Sequence, residues 1–382
     1  MTSLWLATNP ITTQGVALVS DATYDTVVVG AGISGVTTAL LLARAGQKVA
    51  LIEARVPGAV TTGNTTGKVS LLQGTVMSRI RHHQGDGPLK AHAEANRIGQ
   101  SWLLDHMASK GIAYELRDAY TYATTDEGRR ELENELTATQ AAGIGAQWAD
   151  DPGLPFPVTG AISLAGQAQI HPMEVLGSLL DEYEALGGVL HTWCRFHGVE
   201  TGSPCEVSTS RGLLRAERVV LATGTPVLDR GAYFARLQAL RSYAVACRVT
   251  EPVPAGMYLS VDSPTRSLRT AATRDGEFFL IGGNGHATGR QEHTKAAIAD
   301  LEHWTSQYFP TASFTHAWSA QDYRPIDGLP YVGHVPMTKD RLLVATGYDK
   351  WGLTNAVAAA LRIAGSLTGS DVAWAEPLTT LP

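Results

Sequence analysis

The sequence predicts an α/β fold in which a parallel-sheet dinucleotide-binding domain carries a second domain built on a mixed sheet. Three observations lead there. The β-branched run Asp25–Val29 passes straight into Gly30-Ala-Gly-Ile-Ser-Gly35 and then into the apolar stretch Val36–Ala45. A second run, Lys48–Glu53, follows at once and ends on a carboxylate. Far downstream, Arg218–Gly224 and Arg341–Gly347 each form a strand-like run closing on Ala-Thr-Gly.

Each element has a local cause. A continuous β-branched run suits a strand buried on both faces of a parallel sheet. Val36–Ala45 reads as an apolar helix stopped by Gly46, and strand, glycine turn, helix and strand make one βαβ unit. Within it, Gly30 permits the tight turn, Gly32 lets backbone N–H groups approach a pyrophosphate, and Gly35 lets helix and sheet pack closely. Ile33 and Ser34 of the turn are expected to touch the cofactor, and the N-terminus of the following helix favours phosphate charge. Glu53, eighteen residues past Gly35, is placed to accept hydrogen bonds from ribose hydroxyls, with Ala54 and Arg55 beside it. This is a Rossmann-type unit.

Further on, Thr61–Gly67 reads as a small, polar, flexible loop. Lys90–Lys110 has helical spacing ended by Gly111, and Pro172–Leu186 is an amphipathic helix with Pro at its start and Gly187-Gly188 at its end. Asp151–Pro157 reads as a Pro-rich connection at a domain edge. From Arg236 to Trp318 short β-like runs alternate with turns, with one helix near Lys295–Tyr308. Leu353–Leu367 forms the last helix. The expected division is an N-terminal extension on the surface (1–23), a discontinuous cofactor domain (24–80, 170–235 and 331–382), and a substrate domain (81–169 and 236–330).

Composition narrows the function. The 382 residues are 44% hydrophobic and 17% charged, which is globular, and the net charge of −6 without a long basic run argues against nucleic acid. The three cysteines, Cys194, Cys205 and Cys247, are widely spaced, so neither a disulfide framework nor a metal site is expected. No run of about 18 apolar residues spans a membrane. The first twenty residues lack a signal peptide's pattern, and the chain is expected to be cytoplasmic.

The fingerprint alone does not choose between NAD and FAD. Ala222, Thr223 and Gly224 end a return strand like that of FAD enzymes of the glutathione-reductase type. Gly347 then precedes a helix beginning near Gly352, Leu353 and Thr354, whose N-terminus would stabilise negative charge on a reduced flavin.

On these segments, together with Arg324-Pro-Ile-Asp-Gly-Leu-Pro330 and Gly333, the chain resembles the D-amino-acid oxidase family from about Tyr24 to its C-terminus. The resemblance is to the branch with glycine oxidase and sarcosine oxidase. It is closer still to a branch carrying a Thr-Thr-Gly-x-Thr-Thr-x-Lys loop, here Thr61–Lys68, whose members often bear a C-terminal Rieske domain. The Cys/His pairs of such a domain are absent from this sequence. The resemblance implies FAD, hydride transfer from a carbon bearing an amine to flavin N5, hydrolysis of the imine, and reoxidation by oxygen or another acceptor. The substrate would be a small amine or amino acid. The alternatives are a flavoprotein passing electrons to a separate protein, and a flavin monooxygenase. Relatives with a covalent flavin use a His in the loop or a late Cys. Here Asn64 stands at the His position and no Cys follows Cys247, so non-covalent FAD is expected.

The site residues follow. Thr62, Thr65, Thr66 and Lys68 would lie near the flavin, with Lys68 either at flavin N5, at the oxygen site, or in a plain pyrophosphate or surface role. Val199 is expected to touch the cofactor. By resemblance Arg324 binds a substrate carboxylate; otherwise it pairs with Asp322 or Asp327. Lys350 is a second basic contact or an oxygen activator, or else a solvated loop lysine. Tyr348 and Trp351 wall the pocket or merely pack. Tyr258 and Arg269, from the middle sheet, are candidates to face the flavin, and His286 is expected in a surface turn. Asp327-Gly328 reads as a turn.

Overall fold

A computed structural model describes residues 2–13, 15–228, 231–289, 294–370, 372, 374 and 375. The last seven residues of the expected 331–382 segment lie outside the described residues. Two sheets carry the structure. In the first, the strands run Tyr331–His334, Leu342–Thr346, Gly212–Gly224, Ala22–Val29, Val49–Ile52 and Val189–His191, all parallel except the first. An antiparallel extension, Phe196–Glu200 with Cys205–Thr209, hangs on Gly212–Ala216.

The pleat explains why these strands read as continuous apolar runs. Val28, Leu51, Val220 and Leu343 pack under the helices Ile33–Arg44, Pro172–Ala185 and Gly352–Thr368. The alternate residues Val27, Val29, Ala50, Ile52, Leu221 and Val344 pack on the other face with Phe196, Val207 and Tyr331. Both faces are covered, so neither can be polar.

The second sheet has nine strands and is mixed. Its order is Ser313–Pro325, Leu237–Arg248, Gly276–Ala287, Arg266–Thr273, Met257–Ser260, Glu115–Ala123, Gly160–Gln169 and Lys68–Val69, with Gln147–Trp148 beside Gly160–Gln169. Among the described residues, only Met257–Ser260 and Glu115–Ala123 pair in parallel in this sheet. The helix Thr294–Tyr308 seals its outer face through Ile298 and Leu301 against Val245, Phe279 and Ile281. The fold is therefore the expected one, a parallel-sheet unit with a mixed-sheet partner. The middle strands are longer than the short runs expected, reaching 12 and 13 residues.

The helix expected at Lys90–Lys110 begins earlier, at Asp86. Pro88 falls in its first turn, where the missing N–H has no intrahelical partner to lose. This helix crosses the C-terminal helix at Gly99, where a Cβ would come within 2.3 Å of the Thr354 carbonyl.

Two expectations are corrected. The N-terminal extension is not wholly on the surface; residues 10–13 and 15–23 are exposed or half-buried, but the segment before them is inserted. Leu4–Thr8 is a helix capped by Ser3, and Leu4 and Trp5 are fully buried. Trp5 donates from Nε1 to the Thr65 carbonyl at 2.6 Å, and Ser3 donates to the Gly63 carbonyl. Nor is Thr61–Gly67 a free loop. Thr62–Asn64 is a 3-10 turn, and Trp318 donates to the Asn64 carbonyl at 2.9 Å. Two buried tryptophans from opposite ends of the chain fix its backbone.

Candidate active site

A cavity of about 460 Å³ lies between the two sheets. It is lined by Gly30, Gly32, Ile33 and Ser34 of the glycine turn, by Glu53, Ala54 and Arg55, and by Ala222, Thr223 and Gly224. Thr62, Thr65, Thr66 and Lys68 line it too. Tyr348, Lys350, Trp351, Gly352 and Leu353 line it at the start of the C-terminal helix, where Tyr348 meets Ser34. Segments more than 300 residues apart thus converge because parallel strands deliver their C-terminal ends to one edge of the sheet.

The rest of the wall is the inner face of the mixed sheet. Trp318, Ala320 and Asp322 alternate along one strand, Ser242 and Ala244 along the next, followed by Gly282, Ser267 and Leu259. This period of two marks the cavity side of each strand.

Several predicted residues lie elsewhere. Tyr258 is on the opposite face from Leu259. Its hydroxyl donates to the Pro152 carbonyl at 2.9 Å, and its ring stacks on Tyr120. Val199 is half-buried within the antiparallel extension, paired with Val207; the chain meets the cavity just before it, at Cys194, Arg195 and Phe196. The Thr354 hydroxyl donates to Asn96 Oδ1 at 2.5 Å, which directs it toward the Asp86–Lys110 helix. Gly347 and Gly35 shape the backbone. Gly347 has φ +82°, and a Cβ on Gly35 would lie 1.8 Å from the Gly30 carbonyl oxygen. Arg269 is buried, donating to the Gly67 carbonyl at 2.6 Å while its guanidinium covers the Trp5 ring. His286 sits on a strand, half-buried, with Nε2 3.0 Å from the Tyr243 hydroxyl. Asp327-Gly328 is a turn, with Gly328 at φ +86°.

Arg324 also stays out of the cavity wall. It pairs neither with Asp322 nor with Asp327, but with Asp349, and Arg79 reaches the other oxygen of the same carboxylate. Lys350 faces the cavity from the next position; Asp349 and Lys350 have φ +41° and +75°. Two successive left-handed residues turn the chain sharply before the helix.

The charges in the cavity are displaced from their ordinary behaviour. Burial, helped by Arg269, lowers Lys68 to about 7, and its amine donates to the Tyr258 carbonyl at 2.5 Å and to Ser267 Oγ at 2.7 Å. Enclosure lowers Lys350 as well, although Asp349 opposes the shift. Burial raises Asp322 to about 6, while the backbone N–H groups of Tyr323 and Lys350 hold it down. Burial also pushes the Tyr348 phenol up, and Ser34 donates to that phenol oxygen at 2.9 Å.

The model of the DAO family, described as FAD dependent oxidoreductase, matches residues 25–365. The chain belongs to this family.

Similar proteins agree with that membership. The Bacillus subtilis (strain 168) protein YhfW, whose name describes a Rieske 2Fe-2S iron–sulfur protein, is 30% identical over 90% of this chain and 68% of its own length. A glycine oxidase of Bacillus licheniformis is 23% identical over 92% of this chain and 96% of its own. The crystal structure of glycine oxidase from Geobacillus kaustophilus superimposes with a TM-score of 0.78 at 18% identity, covering 94% of this chain and 99% of that one. That likeness is one of fold.

The residues present fit FAD. Glu53 accepts from the backbone N–H of Ala31 at 2.9 Å through one oxygen and from that of Arg55 at 2.8 Å through the other. Each oxygen keeps a further lone pair for a ribose hydroxyl. Gly32 and Trp351, the residues that precede the two helices, offer no side-chain cap; Thr62 accepts from the Ile33 N–H at 3.1 Å, and the other first-turn N–H groups of both helices are left for a ligand. Among the described residues lining the cavity there is no histidine. The signal that would have exposed the missed residues Trp318, Ala320 and Asp322 is their alternation along one strand.

Proposed function

We propose that this DAO-family oxidoreductase oxidises the C–N bond of an amine or amino acid, with FAD held non-covalently and Lys350 anchoring an anionic group of the substrate. The observation that carries the reading is the placement of Lys350. It is a basic side chain at the cavity wall, beside the start of the C-terminal helix, whereas Arg324 is engaged by Asp349. FAD, when bound, supplies the electron acceptor. The chain's own residues bind, orient and exclude water. Lys350 and the aromatic walls Tyr348 and Trp351 hold the donor carbon in place, and a fixed approach is worth several kcal/mol of barrier. The inner face of the mixed sheet covers the reactive end, which makes the sheet the substrate-binding part and the βαβ segments the cofactor-binding part. Lys68, a poor cation at neutral pH, sits as a hydrogen-bond donor between Ser267 and the cavity.

The test is an anaerobic screen of primary amines, secondary amines and amino acids against the yellow holoenzyme. Bleaching of the flavin absorption by a member of the panel is expected, followed by peroxide on admitting air if oxygen is the acceptor. Bleaching without peroxide would favour a separate electron acceptor, for which the likeness to a Rieske-named protein is the supporting observation. A panel that leaves the flavin oxidised would end the reading. FAD should leave the protein on acid precipitation; flavin retained in the pellet would contradict the non-covalent attachment.

A further inference from the structure

Asp322 has no assigned part in the reading above, yet it is an acidic side chain on the inner face of the mixed sheet, against the backbone of Lys350. It follows Trp318 and Ala320 on the cavity side of its strand. Its carboxylate is held at two points, accepting from the backbone N–H of Tyr323 at 2.8 Å and from that of Lys350. Among the described residues no cationic side chain lies within ion-pair distance of it. The neighbouring carboxylate, Asp349, takes both local guanidiniums, Arg79 and Arg324. A fixed carboxylate facing a cavity, in ion-pair contact with no side chain and influenced by Lys350 only from further off, is a site for a cation brought from outside.

We propose that Asp322 binds the substrate's ammonium group and takes its proton, so that the substrate enters as a cationic amine and is oxidised as the neutral one. This rests on the C–N oxidation proposed above. The step balances simply. One N–H bond of R–NH₃⁺ breaks, its proton passes to an Asp322 carboxylate oxygen, and a neutral amine and a neutral carboxylic acid result. The nitrogen lone pair set free is what electron loss from the adjacent carbon requires. The acid later returns its proton to water. With Lys350 at the same end of the cavity, the two opposite charges suit a zwitterion.

The surroundings make the transfer feasible. The groups bearing on Asp322 are Asp349, which pushes its pKa up, Lys350, which pulls it down, and the Tyr348 phenol, itself pushed up. Tyr323 contributes a backbone N–H. Arg79 and Arg324 act on the region through Asp349. Burial dominates, and the group titrates at about 6. It is therefore ionised at neutral pH and more basic than an ordinary carboxylate, which is the balance a proton acceptor needs.

The test uses holoenzyme and the panel member that reduces the flavin fastest. Anaerobic reduction is followed from about pH 5 to about pH 10 for the wild type, Asp322→Asn and Asp322→Glu, with FAD content checked in each. The wild type should gain rate as pH rises through about 6. Asp322→Asn should lose about 100-fold near neutral pH, recover once solution deprotonates the amine, and be partly rescued in Asp322→Glu. A purely structural role would lower the rate equally at every pH, and that result would overturn the proposal, as would an unchanged profile. Should Asp322→Asn fail to fold, the N-trimethylated analogue of the same amine, which has no proton to give, is titrated as an inhibitor of the wild type. It should bind more tightly above about pH 6 than below, and flat binding sinks the idea. If no amine reduces the flavin, the C–N reading falls and takes this inference with it. If amines reduce it with no dependence on Asp322, only this inference falls.

Discussion

Arg324 donates from Nε to Asp349 Oδ1 across 3.0 Å, so the most suggestive cation in the sequence is neutralised by a carboxylate two dozen residues later. The Asp349 side chain is 8% exposed and holds Arg79 as well. A buried carboxylate demands such partners, because an unpaired one is strongly unfavourable. That leaves Lys350, beside Asp349, as the basic side chain on the cavity wall here.

For a carboxylate-bearing substrate, Lys350→Met should therefore lower kcat/KM by about 10- to 150-fold, or about 1.5–3 kcal/mol for one charged hydrogen bond. Arg324→Met should change it by less than about threefold, since Asp349 keeps Arg79. Steady-state kinetics on both variants, with FAD content matched, checks the contrast. The reverse order of losses would return Arg324 to the role of anchor.

Trp5 should matter far beyond its position near the chain start. It is fully buried, donates to the Thr65 carbonyl and carries the Arg269 guanidinium over its ring. Trp5→Ala is expected to destabilise the protein by about 3–5 kcal/mol through cavity formation. It should also weaken FAD binding, because Thr65 and Thr66 line the cofactor cavity. Urea denaturation of apoprotein and holoprotein, with FAD titration by fluorescence, measures both effects. An unchanged FAD affinity would show that the loop holds its shape without the N-terminal helix.

Two glycines give opposite expectations. Gly35→Ala places a methyl 1.8 Å from the Gly30 carbonyl oxygen, which only backbone movement can relieve. A loss of about 3 kcal/mol or more, with colourless protein, is expected. Gly87→Ala meets nothing within 4 Å and lies in the first turn of the Asp86–Lys110 helix. It should stabilise by up to about 1 kcal/mol by restricting the unfolded chain. Melting temperatures and the absorption spectrum of the two purified variants decide.

Glu135 is fully buried and accepts from the backbone N–H groups of Met77 and Ser78, so it caps the helix that carries Arg79. Burial outweighs those bonds and pushes it up to about 7 from 4.5. A raised carboxyl pKa means that the ionised form is disfavoured on folding. Its stabilising contribution is complete below about pH 4.5 and is lost as pH rises to about 7. The stability of Glu135→Gln relative to wild type should therefore rise by up to about 3 kcal/mol between those limits. Chemical denaturation at both ends of the window tests it; a constant difference would show that Glu135 titrates like an exposed carboxylate.

The family, the fold class and the βαβ unit with its glycine turn were legible in the sequence. Gly30, Gly32, Gly35 and Glu53 are legible because their roles depend on the turn, helix start and strand that immediately surround them, and local backbone geometry is written in local residues. The strands ending at Gly224 and Gly347 are legible for the same reason. Tertiary structure alone decided the rest. Whether Arg324 meets a substrate or Asp349, whether Tyr258 or Leu259 faces the cavity, and whether Phe196 or Val199 touches it depend on strand phase and on partners far away in the chain. A shift of one residue in a strand exchanges its two faces. Trp5 and Asp322 were hidden by the same physics: each gains its meaning from a neighbour that only the folded chain brings close, Thr65 for one and the Lys350 backbone for the other.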